Sequence, residues 1–117
     1  MAELGGEVVG HLLIEPANPE HVPAWRAALG SEYDQRRLIE IGGAFVDPAH
    51  FNQGIFSQLL RHAITQISSE YGAIPVFATW SDNAQVIHRL RSLGAVYAGN
   101  AQVLGGQVEL FALKAES

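Results

Sequence analysis

Hydrophobic and polar positions follow two rhythms along the chain. From Gly54 to Tyr71 the apolar residues Ile55, Phe56, Leu59, Leu60, Ala63, Ile64, Ile67 and Tyr71 recur at three- and four-residue steps, with Gln58, Arg61, His62 and Gln66 off the stripe. That spacing predicts an amphipathic helix, which Gly72 closes. A second helix is predicted after Ser81-Asp82-Asn83, a run of N-cap residues, with Ala84, Ile87, Leu90 and Leu93 on one face and Gly94 at its end. A third, shorter helix is expected over Pro19 to Leu29, with Asn18 as N-cap, Pro19 in the first position, Gly30 after the end and Pro23 inside it. Strands read differently. Leu38 to Val46 and Ile74 to Trp80 are nearly continuous apolar runs, as expected of strands covered on both faces. Met1 to Leu4 and Glu7 to Ile14 flank Gly5-Gly6, and Ala95 to Gln102 and Gln107 to Leu113 flank Gly105-Gly106, so each pair reads as a hairpin.

The resulting order is β-β-α-β-α-β-α-β-β. Connections through helices join the middle strands and turns join the outer ones, so the expected fold is α/β (α+β): a mixed, mostly antiparallel central sheet flanked by helices. The chain has 117 residues, 48% hydrophobic and 16% charged, which suits one domain over residues 1–117 and excludes intrinsic disorder. There is no cysteine, which removes thiol nucleophiles, disulfides and cysteine-held metals. The five histidines show no ligand spacing, so no metal site is expected. Net charge is -5 with seven Lys and Arg, which argues against nucleic-acid and membrane partners. The first residues carry no signal-peptide pattern, and a cytoplasmic location is expected.

Candidate chemistry concentrates in Leu38 to Leu60. A buried strand ends at Val46-Asp47-Pro48, and after a short loop Gly54 opens a helix, an arrangement that aims free N–H groups and a helix dipole at one point. An ordinary β–α junction has the same outline. Within the strand, Gly42-Gly43 marks a bulge or a close approach of another backbone or ligand. Glu40 is an acid among apolar neighbours, either half-buried for acid–base work or turned to solvent at a sheet edge.

Taken together these segments resemble the GNAT superfamily of acyl-CoA-dependent N-acetyltransferases. Val46-Asp47-Pro48 is similar to its Val-x-Pro strand end. Phe51-Asn52-Gln53-Gly54-Ile55-Phe56 corresponds to its pyrophosphate loop, Arg/Gln-x-x-Gly-x-Gly/Ala. Asn83, Val86, Gly94 and Ala95 fall on its later Asn-x-x-Ala and Gly-Phe pattern, and Glu7 to Leu12 on its glycine-bearing early strand. The resemblance implies acetyl transfer from acetyl-CoA to an amine of a small molecule or peptide. Acetyl-CoA would lie between the strands Leu38–Val46 and Ile74–Trp80. Main-chain groups of Phe45 and Val46 would bond its pantetheine, the loop Phe51, Asn52, Gln53, Gly54, Ile55 and Phe56 would hold its pyrophosphate, and Asn83 would touch the pantetheine arm or simply cap its helix. Glu40 would be the base.

Three residues depart from the family pattern. Phe51 replaces Arg or Gln, Phe56 replaces a small residue, and Leu90 stands where a tyrosine acid is usual. Phe56 either blocks the pyrophosphate or, in phase with Leu60, Ala63 and Ile67, points into the core. These departures leave a catalytically inactive binding module of the same fold as the competing reading. Against the family frame, Met1 to Leu4 corresponds to a second strand, and the segment Pro16 to Arg37 is an insertion expected to cover part of the exposed sheet; a homodimer is expected to do the rest.

Overall fold

The computed structural model describes residues 2–4, 7–46 and 55–113. Its strands are β1 (Ala2–Leu4), β2 (Glu7–Pro16), β3 (Leu38–Val46), β4 (Ile74–Trp80), β5 (Val96–Val103) and β6 (Gly106–Ala112). Helices α1 (Val22–Leu29), α2 (Ile55–Glu70) and α3 (Ala84–Ser92) alternate with them, and a short 3-10 turn spans Ser31–Tyr33. The described strands form one sheet in the order β1-β2-β3-β4-β6-β5. β3 and β4 are parallel, joined by the α2 crossover that such a pair requires; the other described pairs are antiparallel. The expected element order and mixed sheet are therefore present. The Gly5-Gly6 turn lies outside the described residues.

Side-chain alternation divides the core into two layers, one on each face of the sheet. Ile39, Ile41, Phe77 and Phe111 point to the face covered by α2 and α3, where they meet Leu60, Ala63, Ile67 and Leu90. Leu38, Ile74, Val76, Val108, Leu110 and Ala112 point to the other face, against Trp25 and Leu29 of α1. The two apolar runs are continuous because both strands are covered on both faces. The segment 16–37 does cover the sheet, through α1.

The local reasons are legible in each helix. On α3, the Asn83 side chain accepts from the Val86 amide (3.4 Å) at the N-terminus. At the other end Gly94 takes φ +82°, and its amide and that of Ala95 return to the carbonyls of Arg91 and Leu90. That is a Schellman closure, which glycine adopts without strain. Helix α1 starts later than expected, at Val22 rather than Pro19. Residues 18–21 instead form a turn, closed by the His21 amide on the Asn18 carbonyl (3.0 Å), and the Asn18 side chain accepts from Glu20 rather than capping the helix. Pro23 falls in the first turn, where its missing N–H has no helical partner to lose.

Candidate active site

β3 and β4 pair in register from Leu38–Ile74 to Ile41–Phe77. Beyond that point β3 runs on to Val46 and β4 to Trp80 with no shared ladder among the described residues. Each keeps its outer partner: Gly42, Phe45 and Val46 pair with Leu13, His11 and Gly10 of β2, and Ala78, Thr79 and Trp80 pair with Leu110, Glu109 and Val108 of β6. The inner edges therefore enclose a wedge bordered by main-chain groups, which a ligand carrying its own amides can bridge.

A sequence feature accounts for the divergence. Between His11 and Leu13 of β2, β3 advances three residues, from Phe45 to Gly42, against two. The extra residue at Gly43-Ala44 is the bulge expected there. A bulge bends its strand and increases its twist, which turns β3 away from β4. On the α1 side the divergence is pinned by Trp25, which is fully buried and donates its indole N–H to the Phe77 carbonyl (3.3 Å) where the shared ladder ends.

Glu40 lies one residue before the divergence, on the face turned to α1. β3 is an interior strand, so the edge placement expected as one alternative is not what the fold provides. The carboxylate is half-buried and accepts the Asn18 amide at Oε1 (3.0 Å). Directly across the β2–β3 ladder stands Glu15. A methyl group added at Gly42 would meet Glu15 Oε1 at 3.1 Å and Glu40 Oε2 at 3.7 Å, so the two carboxylates bracket that glycine. Burial pushes the Glu40 carboxyl above the ordinary carboxylate range; the Asn18 amide opposes this, Glu15 adds to it and the His21 imidazole opposes it.

A second polar cluster occupies the exposed α3 side of β5 and β6. Glu109 accepts from the Ser81 hydroxyl, from Tyr97 Oη (2.7 Å) and from Gln107 Nε2 (3.0 Å). These donors, Ser81 first, hold its carboxyl below the usual range. The bond to Glu109 raises Tyr97.

Of the expected site residues, Glu40 and the main chain of Phe45 and Val46 are brought to the wedge. Phe51, Asn52, Gln53 and Gly54 lie outside the described residues, as do Asp47 and Pro48. Ile55 and Phe56 begin α2, and their side chains are not among those described. Topology starts α2 at the end of the sheet where β3 leaves β4, because only residues 47–54 separate them. Asn83 uses Oδ1 as the α3 cap, which leaves Nδ2 as a donor. Glu15 and His21 carry no site signal in the sequence, where Asn18 reads only as a helix cap. Glu15 follows from the antiparallel register of two strands read as neighbours; the burial of His21 has no one-dimensional signal. Among the described residues no group of acids and histidines has the arrangement of a metal site.

Comparison with known proteins gives the same architecture. A family model described as Acetyltransferase (GNAT) family matches residues 1–95. The chain is also similar in structure to the ribosomal-protein-S18-alanine N-acetyltransferase from Escherichia coli, with a TM-score of 0.57, 18% identity, and coverage of 87% of this chain and 92% of that one. At that identity the likeness is one of fold. No curated protein matches the chain in sequence.

Proposed function

The chain belongs to the GNAT acetyltransferase family, and from that premise we propose that it is an enzyme of the cytoplasm that transfers the acetyl group of acetyl-CoA to a primary amine of a small molecule or peptide. The observation that carries this reading is the wedge between β3 and β4, with a half-buried Glu40 at its apex. Acetyl-CoA supplies an acyl group activated as a thioester. The main chain of Phe45 and Val46, where β3 runs past its ladder with β4, would bind the amides of its arm. By the family pattern, the loop Phe51, Asn52, Gln53, Gly54, Ile55 and Phe56 would hold its pyrophosphate, since a helix N-terminus suits an anion. Asn83 offers Nδ2 to the arm.

Glu40 takes a proton from the incoming ammonium, directly or through one water. A carboxylate raised by burial is a better base than one in water, and it sits on the α1 face, where an acceptor can approach without crossing α2 or α3. The mechanism assigns no acid role to Leu90, which is buried and apolar. A homodimer is part of the same reading, since among the described residues β1 and β5 are the outer strands of the sheet and each leaves one edge unpaired. Light scattering that reports a monomer at micromolar concentration counts against it.

Titration with acetyl-CoA, followed by thermal unfolding, tests the proposal. Ligand at about 100 times its dissociation constant stabilises by about 2.7 kcal/mol. No shift at millimolar acetyl-CoA or CoA refutes acyl-CoA binding. A shift without acetylation of any amine supports the inactive binding module instead.

A further inference from the structure

The proposed reaction leaves one large side chain of β4 unused. Trp80 is the last residue of that strand and is 46% exposed. Its direct partner across the β4–β6 ladder is Val108, which belongs to the core layer beneath α1. Directly opposed residues share a face, so the indole lies on the α1 face of the sheet, the face that carries Glu40. Along that face β4 presents Val76, Ala78 and Trp80 in turn, and they are buried, half-buried and exposed. The cover that α1 gives the sheet therefore ends before Trp80.

The indole is braced rather than loose. A methyl group added at Gly106 would meet its Cζ3 at 3.4 Å and its Cε3 at 3.7 Å, and one added at Gly105 would meet its Cη2 at 3.5 Å. Both glycines have positive φ, +148° and +97°, so any side chain there would be strained as well as set against the ring. The β5–β6 turn thus brings bare main chain up to one side of the indole, and almost half of the residue stays open to solvent. The strand end is fixed too: the Trp80 carbonyl accepts the Asn83 amide (3.0 Å), and the Ser81 amide donates to the Gln107 carbonyl (3.0 Å). Leu104, in the same turn, is fully exposed and enlarges this apolar corner.

Between Glu40 and Trp80 the sheet is nearly bare. Just past the last shared rung of β3 and β4, the α1 face carries Gly42 on one strand and Ala78 on the other, neither with more than a methyl group. Glu40 is in register with Val76, and four residues at about 3.3 Å each take β4 about 13 Å from there to Trp80. A nitrogen one hydrogen bond, about 3 Å, from the Glu40 carboxylate leaves roughly 10 Å to the indole.

We propose that Trp80 is a specificity-determining residue for the acyl acceptor, stacking on an aromatic group that the acceptor carries about 10 Å from its amine. The inference rests on the acetyl-transfer reading and gives that site its acceptor class: a primary amine with an apolar, aromatic body. A ring already held by main chain loses little freedom on binding, so the stack is realised as affinity.

The test compares hexylamine with phenylhexylamine, which carries a ring and an amine at opposite ends of the same six-carbon chain. In wild type, kcat/KM for the aryl amine is expected to be higher by about 10-fold. Trp80→Ala is expected to abolish most of that preference and Trp80→Phe to keep part of it, with KM for acetyl-CoA the same in all three. Iodide quenching reads binding without turnover. Of the two tryptophans Trp25 is fully buried, so the quenched emission is that of Trp80. With CoA present, phenylhexylamine is expected to protect that emission and hexylamine to leave it unchanged. Equal kcat/KM for the two amines in wild type, a preference that survives Trp80→Ala, or quenching that neither amine changes overturns the stacking role and leaves acetyl transfer standing. An indole already shielded from iodide in the free protein, with a dimer in light scattering, gives Trp80 to a second copy and also overturns it. Absence of transfer by wild type to either amine and to lysine overturns the acetyl-transfer reading, and the acceptor class with it.

Discussion

Replacing Glu40 by Gln is expected to make the protein more stable and less active at once. Glu40 and Glu15 are directly opposed on β2 and β3, and Glu40 is half-buried. The Asn18 amide donates the hydrogen bond that stabilises the charge, and Gln retains an Oε1 for it. Because burial raises the folded-state pKa above its ordinary value of 4.5, the folded protein holds this proton more tightly than the unfolded chain. Stability on this account is highest at low pH and is lost as pH rises from the unfolded value through the folded one. Gln removes that loss. A like-charge pair across a ladder costs a fraction of a kcal/mol, so a gain of about 0.5 to 1 kcal/mol is expected at pH 7.5, or about 3 °C in Tm. Below pH 4, where the wild-type carboxyl is protonated, the two proteins should melt together. Acetyl transfer should fall about 100-fold with acetyl-CoA affinity unchanged, because a base and not a binding group is lost. Thermal melts at both pH values and thiol-release rates read these effects separately. A lower Tm for the variant at pH 7.5 refutes the burial argument; unchanged turnover across pH removes Glu40 from the chemistry.

Three further outcomes follow from the geometry. Trp25→Phe removes the donor to the Phe77 carbonyl and leaves space in a fully buried site, and should cost about 2 to 3 kcal/mol by urea unfolding. Asn83→Ala should cost about 0.5 kcal/mol, the low end for a cap, since the bond is 3.4 Å long, whereas Asn83→Asp should keep the cap and weaken acetyl-CoA binding by removing Nδ2; equal affinity for the two proteins in calorimetry would assign Asn83 to capping alone. Glu109→Gln should bring the Tyr97 ionisation to lower pH, because the carboxylate that holds the phenol proton is gone, and phenolate absorbance will show whether it does.

The ends of β3 and β4 were legible residue for residue, because an apolar run bounded by Asp47-Pro48 or by Ser81-Asp82 has few other readings. Helix α3 was legible for the same reason, since Asn83 and Gly94 carry their capping chemistry in their own side chain or its absence. The α1 start was misplaced by a local competition: Asn18 satisfies its side chain within a turn, and that turn is held by Glu40, 22 residues away. Glu40 could be picked out as an acid in an apolar strand, but whether it met solvent depended on which strands flanked it. His21 has no neighbour pattern in the sequence that marks it for burial, which packing over the sheet imposes.

What the amino-acid order determined by itself was periodicity, caps, breaks and the Gly42-Gly43 weak point, all set by interactions within a few residues. Tertiary structure decided the rest: that β3 is interior, that its bulge is set against β2, and that α1 lies over the face carrying Glu40. Those facts come from long-range packing on two faces of one sheet. Desolvation and charge–charge coupling act through space, so the environment that raises the Glu40 carboxyl has no counterpart in any local stretch of the chain.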